Sequence, residues 1–325
     1  TEPGWAPAMM DVVALLARLP RTHFINGAFT DDETTLAVEN PATGATLTHV
    51  ADASPELAMT ALDAAVAAQA DWAATEPRVR AELLRAAYER IVERADDFAT
   101  VMTLEMGKPL AEARGEVTYG AEFFRWFAEE AVRVHGRYAV APLGGSRLIT
   151  TKQPVGPVLA ITPWNFPLAM GTRKIGPALA PGCTVVLKPA AATPLTSLLL
   201  AEVLHEVGVP AGVVNVYATS RSGATTGPII ADPRLRKLTF TGSTEVGRAL
   251  LEQASANILR TSMELGGNAP FVVLPSADVA RAIEGAALAK MLNIGEACTS
   301  ANRFIVHKDV ADEFARRVSE RVAAM

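Results

Sequence analysis

The period of the apolar positions changes along the chain and predicts its elements. From Pro55 to about His135 they recur at helical spacing, as at Leu83, Leu84, Ala87, Tyr88 and Ile91, and Gly107-Lys108-Pro109 breaks the run. Ser54-Pro55 opens it as an N-cap followed by proline at the first helical position. Ahead of it, "THFINGAF" and "ATLTHV" are short extended pieces flanking the turn "NPATG", and "TEPGWAPAMMDVVALLARLP" has the pattern of an amphipathic helix. "RYAVAPLGGSRLITTKQP" alternates over two arms about Gly-Gly, which predicts a β-hairpin; without a core of its own it should project or pair elsewhere. Strand and helix patterns then alternate: "VGPVLAI", a helix from about Pro167, "CTVVLK", a helix from about Pro194, "VVNVY", a short helix, "KLTFT" and a helix from about Thr244. Four apolar strands separated by helices predict a parallel sheet with right-handed crossovers, a nucleotide-binding architecture. A second βα series is expected to begin at "TSMELGG" and "PFVVL", run through a helix from Ala277 to Leu292, and continue with the strand "ANRFIVH" and a last helix.

Length and composition narrow the function classes. A chain of 325 residues can bury a sizeable core and suits two domains. Half of it is hydrophobic but only 6% is aromatic, the usage of a packed α/β enzyme. A formal charge of -5, with Lys and Arg scattered, provides no basic face for nucleic acid. The uncharged run Gln153 to Thr172 carries Pro154, Pro157, Pro163 and Pro167 and cannot be a membrane-spanning helix. Cys183 and Cys298 lie far apart without a CxxC, and the five histidines lack metal-ligand spacing, so neither a disulfide framework nor a metal site is expected. No signal peptide is apparent. A soluble, cytoplasmic protein acting on small molecules, with no nucleic-acid or membrane partner, is the expectation.

In a doubly wound sheet, ligands bind beyond the carboxyl ends of the strands. After the first strand, "TPWNFP" encloses Asn165 between prolines, either as a rigid donor to a developing oxyanion or as a turn asparagine. After the second, Lys188-Pro189 places an ammonium where a nucleotide ribose or phosphate would lie, or simply a solvated lysine. After the fourth, Gly242 and Ser243 open a helix whose N–H groups suit a pyrophosphate; a plain Ser cap is the alternative, and GxGxxG is absent. Glu264, before Gly266-Gly267, is a candidate general base tuned by partial burial, or a surface charge. Cys298 is either a small buried hydrophobe or a nucleophile.

Taken together, "PWNFP", "LKPA", "FTGSTEVG", "ELGGNAP" and "NIGEACTSANR" occur in an order and spacing similar to the aldehyde dehydrogenase superfamily. The resemblance extends to "FINGAF…NPATG" and "EMGKPLAEARGEV", and "ITPWNFPLAMGTRK", "GPALA" and "GVPAGVVNV" resemble the succinate-semialdehyde dehydrogenase group most.

That resemblance implies a parallel Rossmann-type cofactor domain over residues 1–136 and 153–263, an oligomerisation hairpin over 137–152, and the N-terminal part of an α/β catalytic domain over 264–325. It implies Cys298 as nucleophile, forming a thiohemiacetal and then a thioester, with Asn165 and the Cys298 backbone N–H as oxyanion hole and Glu264 as general base. NAD or NADP would lie on Thr162, Trp164, Asn165, Lys188, Pro189, Ala190, Ala191, Gly242, Ser243 and Leu265. NAD-strict relatives often carry Glu where this chain has Ala191, so NADP is permitted. Arg173 would bind the distal carboxylate of the aldehyde. A second arginine expected before Asn293 is replaced by Leu292; Glu296 stands for a usual Gln, Ser300 for a second Cys of several relatives, and Thr219 for a frequent Gly. Family chains continue further, so this sequence is expected to be the N-terminal part of a homo-oligomeric (dimeric or tetrameric) enzyme. Oxidation of succinate semialdehyde to succinate is the implied activity; another aldehyde or semialdehyde, or a catalytically silent nucleotide-binding or assembly fragment, is the alternative.

Overall fold

The computed structural model describes residues 12–325. The first residues of the expected N-terminal helix, 1–11, lie outside the described residues; its remainder is α1 (Val12–Arg18). Four short strands follow, β1 (His23–Ile25), β2 (Ala28–Thr30), β3 (Thr35–Glu39) and β4 (Thr46–Ala51). Asn26-Gly27, both at positive φ, turn β1 into β2, and the expected Asn40–Gly44 turn joins β3 to β4. The long helical stretch is four helices: α2 (Pro55–Ala74), α3 (Pro77–Glu93), α4 (Ala95–Met106) and α5 (Leu110–Ala131). Ser54 caps α2, its hydroxyl accepting from the Leu57 N–H at 3.2 Å. Gly107 ends α4 with φ 90°, a left-handed conformation glycine takes without Cβ strain.

Among the described residues the hairpin β5 (Arg137–Val140) and β6 (Arg147–Thr150) pairs only with itself, with Tyr138, Val140, Leu148 and Ile149 exposed. The alternating region is β7 (Val158–Ile161), α6 (Ala169–Leu179), β8 (Val185–Lys188), α7 (Pro194–Glu206), β9 (Val214–Val216), α8 (Ser222–Ala231), β10 (Lys237–Gly242) and α9 (Thr244–Ser255). The chain goes on through β11 (Arg260–Leu265), β12 (Ala269–Val273), α10 (Val279–Met291), a 3-10 turn (Leu292–Gly295), β13 (Ala301–Val306) and α11 (Lys308–Ala323).

The expected parallel sheet is present: β10, β7, β8 and β9 are adjacent and parallel, and the complete order is β11-β10-β7-β8-β9-β1-β2. Strands β7 and β8 are buried throughout, which is why they read as continuous apolar runs. The sheet contradicts one expectation. "TSMELGG" does not open the second series; as β11, the next strand after β10 and α9, it pairs with β10 at the edge of the first sheet. Strand order reverses between β7 and β10, the position at which such sheets bind ligands. Helices α6 and α7 pack on the sheet, with α3, α4 and α5 behind them, while α2 contacts β8, β9 and α8.

The chain divides into two compact units: residues up to Thr241 with Arg248–Met263, and Gly242–Gly247 with Glu264–Met325. In the second, β12 and β13 run parallel, joined through α10, over a small core of Val273, Ile283, Ala286 and Phe314. Among the described residues no helix is long and apolar enough to cross a membrane.

Candidate functional site

In the first unit, the candidate residues follow the carboxyl ends of β7 and β8. Thr162 is buried and its N–H donates to the Lys188 carbonyl at 3.2 Å, tying the two loops where they leave the sheet. Trp164 is exposed and Asn165 half-buried. The Asn165 carbonyl accepts from the Lys108 ammonium at 2.9 Å, and that ammonium lies 4.5 Å from the centre of the Phe166 ring. Asn165 is thus held through its backbone as well as between two prolines.

Lys188 ends β8 at 5% exposure, and burial pulls its ammonium down to about 8. Its Nζ has no hydrogen bond or ion pair among the described residues, so the alternative of a solvated lysine does not hold. A buried cation lacking a protein partner fits an anionic or polyhydroxyl ligand. Pro189 is buried, and Ala190 and Ala191 half-buried, in the turn closed by the Thr193 N–H onto the Ala190 carbonyl. Arg173 on α6 is half-buried with its guanidinium 5.4 Å from the centre of the Phe123 ring, and forms no ion pair among the described residues.

Three further side chains serve these loops. Glu116, buried on α5, accepts from the N–H groups of Leu168 (2.9 Å) and Ala169 (3.1 Å) at the start of α6, and pairs with buried Lys108. Glu105, buried on α4, accepts from the N–H groups of Leu195 and Thr196, both at 2.8 Å, and from the Thr196 hydroxyl at the start of α7. The sequence gives none of the three a role; the signals were charge in the helical run and the family likeness of "EMGKPLAEARGEV".

In the second unit, Ser243 caps α9: its hydroxyl accepts from the Val246 N–H at 3.3 Å and its carbonyl from the Gly247 N–H at 2.9 Å. The N–H groups of Thr244 and Glu245 have no acceptor within the helix, which leaves them for an anion. Gly247 lets Leu265 close on this turn, since a Cβ there would lie 2.6 Å from Leu265 Cδ2. Sequence reading did not identify that role.

Glu264 and Leu265 end β11, and the diglycine that follows leads into β12. Glu264 is exposed, so the expected tuning by partial burial is not present within its unit. Cys298 is exposed too, shortly before β13, and Gly267 adjoins it: a Cβ at Gly267 would lie 3.4 Å from the Cys298 carbonyl oxygen. The chain reaches Cys298 through consecutive left-handed residues, Asn293 (φ 57°), Ile294 (φ 54°) and Gly295 (φ 83°). A β-branched residue there is strained by about 1–3 kcal/mol, a cost that persists only where surrounding contacts hold it. Buried Ser300 donates to the Gly295 carbonyl (3.4 Å), and Lys290 to the same carbonyl (3.3 Å) and to the Asn302 amide oxygen (2.9 Å). Leu292 and Glu296 are exposed beside this turn.

The departures at Thr219 and Ser300 have structural work: Thr219 donates to the Ala53 carbonyl at 3.1 Å and accepts from the Arg221 N–H at 3.0 Å. A polar cleft of about 600 Å³, lined by Gln153, Arg236, Asn257 and Arg260 among others, lies beside the starts of β7, β10 and β11, apart from the candidate residues that follow β7 and β8. Among the described residues no cluster of His, Cys, Asp or Glu is arranged to hold a metal ion.

The aldehyde dehydrogenase family profile matches residues 29–325. The chain is 59% identical over 279 residues to succinate-semialdehyde dehydrogenase of Paenarthrobacter nicotinovorans, covering 86% of this chain and 62% of the relative. It is 46% identical over 304 residues to glutarate-semialdehyde dehydrogenase of Pseudomonas putida, covering 93% of this chain and 63% of that one. A crystal structure of an Escherichia coli NADP-dependent enzyme superposes with a TM-score of 0.92 at 46% identity, covering 96% of this chain and 64% of the other. The chain therefore spans less than two thirds of the length of these relatives. A profile match over nearly the whole chain, with relatives of this identity, shows that it belongs to the aldehyde dehydrogenase family.

Proposed function

We propose that the protein is an NAD(P)-dependent aldehyde dehydrogenase for a short aldehyde carrying a distal carboxylate, succinate semialdehyde first, with Cys298 as nucleophile. The exposed Cys298, whose backbone carbonyl adjoins Gly267 of the diglycine that follows Glu264, at the end of a strained turn, is the observation that carries this reading. As thiolate, its sulfur bonds to the aldehyde carbon, and the carbonyl becomes the oxyanion of a thiohemiacetal. The resemblance of its motifs to the family assigns the Asn165 amide and the Cys298 N–H as donors to that oxyanion, each worth roughly 3–4 kcal/mol in comparable sites. The bound nicotinamide nucleotide supplies the hydride acceptor. Loss of hydride from the same carbon leaves a thioester on Cys298. Glu264 takes a proton from water, whose oxygen attacks the thioester carbon; the C–S bond breaks, the thiolate returns and the free acid leaves. The exposure of Glu264 gives it access to that water.

For the nucleotide, the partnerless Lys188 ammonium and the free first turn of α9 are the fitting groups, with Ala191 offering no carboxylate against a 2′-phosphate. NADP is then accepted alongside NAD. For the substrate, Arg173 supports a distal carboxylate, which a guanidinium pairs in two-pronged fashion. Glutarate semialdehyde is the second reading, favoured by the Pseudomonas putida relative. It is one methylene longer, a difference worth about 10- to 200-fold in specificity.

A panel of succinate semialdehyde, glutarate semialdehyde and a neutral aldehyde, each with NAD and NADP and read by absorbance of reduced cofactor, tests both. Turnover is expected with an acidic semialdehyde and lost in Cys298→Ala; undiminished turnover in that variant overturns the mechanism. Arg173→Ala is expected to lose the preference for acidic aldehydes. Unchanged preference removes the semialdehyde assignment and leaves the dehydrogenase.

A further inference from the structure

The segment Glu105–Glu116, which ends α4 and begins α5, reaches both loops that leave β7 and β8. The carboxylates at its two ends do the same work on successive helices. Glu116 takes the first free N–H groups of α6, directly behind Asn165, and Glu105 takes those of α7, directly behind Lys188–Ala191. A buried carboxylate at a helix N-terminus satisfies donors that the helix cannot and complements its dipole. Lys108 adds what a plain cap lacks. Fully buried, it bridges Glu116 to the carbonyl of Asn165 and lies over the neighbouring Phe166 ring. The loop's backbone is tied to the end of β8 at Thr162, and Lys108 anchors it again at Asn165.

We propose that Glu105, Lys108 and Glu116 are positioning residues for the reaction: Lys108 with Glu116 fixes the loop that presents Asn165, and Glu105 fixes the loop that presents Lys188. The inference rests on the dehydrogenase reading above and adds a division of labour to it. Disturbing the first pair should act on turnover, and disturbing Glu105 on nucleotide binding.

The test uses the protein at its full natural length, with steady-state kinetics, nucleotide binding by fluorescence, and hydrogen exchange of peptides spanning 162–170 and 189–197. Lys108→Met is expected to lower kcat by about 10- to 100-fold, the cost of displacing a donor by about an ångström, with faster exchange confined to 162–170. Glu105→Gln is expected to raise the nucleotide Kd roughly five-fold, the effect of one net hydrogen bond, with faster exchange confined to 189–197 and a smaller effect on kcat. Lys108→Met in an Asn165→Ala background should cost little more than Asn165→Ala alone; full additivity overturns action through Asn165. Unchanged exchange at 162–170 overturns the positioning role whatever the kinetics. If Asn165→Ala leaves kcat unchanged, the oxyanion assignment falls, and exchange still decides the positioning. If Lys108→Met does not fold, Glu116→Gln replaces it: an amide oxygen remains for Leu168 and Ala169, the anion that anchors Lys108 is gone, and the same exchange and kcat changes are expected.

Discussion

The two cysteines occupy opposite environments. Cys183 is buried and burial pushes its thiol up, whereas Cys298 is exposed. Iodoacetamide near neutral pH should therefore alkylate Cys298 and spare Cys183 until the protein unfolds; peptide mapping by mass spectrometry reads this, and equal labelling in the native state contradicts it. Lys188 offers a second residue-scale expectation. Its ammonium, pulled down to about 8, is charged below that pH and loses its proton as pH rises through it. A bound 2′-phosphate favours the charged form and moves the loss upward. The Kd for NADP should thus rise relative to that for NAD above about pH 8, and Lys188→Met should weaken NADP by about 2 kcal/mol and flatten the ratio. An unchanged ratio would place the phosphate elsewhere. The places of Asn165, Lys188, Ser243, Glu264 and Cys298 in the loops and at the element ends were legible because the sequence itself marks those strands and helices. The left-handed Asn293 and Ile294 were not, since only the surrounding fold holds such residues at positive φ.

Helices α5 and α6 come together through glycine. A Cβ at Gly120 would lie 3.1 Å from Leu168 Cγ and 3.2 Å from Ala169 Cα, and one at Gly176 would lie 3.3 Å from the Phe123 carbonyl. A glycine inside a helix costs about 1 kcal/mol against alanine. The close approach gives these two their purpose, because it brings the first turn of α6 within reach of Glu116. Gly120→Val should destabilise the protein by about 1–3 kcal/mol in urea unfolding and should lower kcat by shifting the Asn165 loop. A stable variant with full turnover would show that the two helices need not approach so closely. Helix positions were legible from period and capping, as at Ser54; which helix served which loop was not, because those bonds join residues some fifty to ninety positions apart, as at Glu116–Leu168 (|i−j| 52) and Glu105–Leu195 (|i−j| 90).

At the scale of the whole chain, sheet membership and stability depend on a pairing that chain order conceals, that of β1 with β9. Strand β11 closes the β10 edge of the first sheet, and β1, more than 180 residues from β9 in sequence, extends the other through Phe24 opposite Val216. His23 in β1 is buried, and burial lowers its imidazole to about 4 against the pull of Asp32, Asp31 and Asp52; neutral, it accepts from the Ala218 N–H at 3.3 Å. The unfolded chain protonates this group first as pH falls, near 6.5, so its contribution is complete above 6.5 and lost by about 4. Glu105 runs the other way. Burial pushes its carboxyl up to about 7 despite its hydrogen bonds, so its contribution is complete below about 4.5 and lost as pH rises through 7. Each window is worth at most about 3 kcal/mol. The stability advantage of the native protein over His23→Gln should therefore shrink as pH falls from 6.5 to 4, while its advantage over Glu105→Gln should shrink as pH rises from 4.5 to 7. Urea unfolding of the three proteins at several pH values, followed through the buried Trp72, reads both slopes. Slopes of the same sign would mean that burial does not control the two groups.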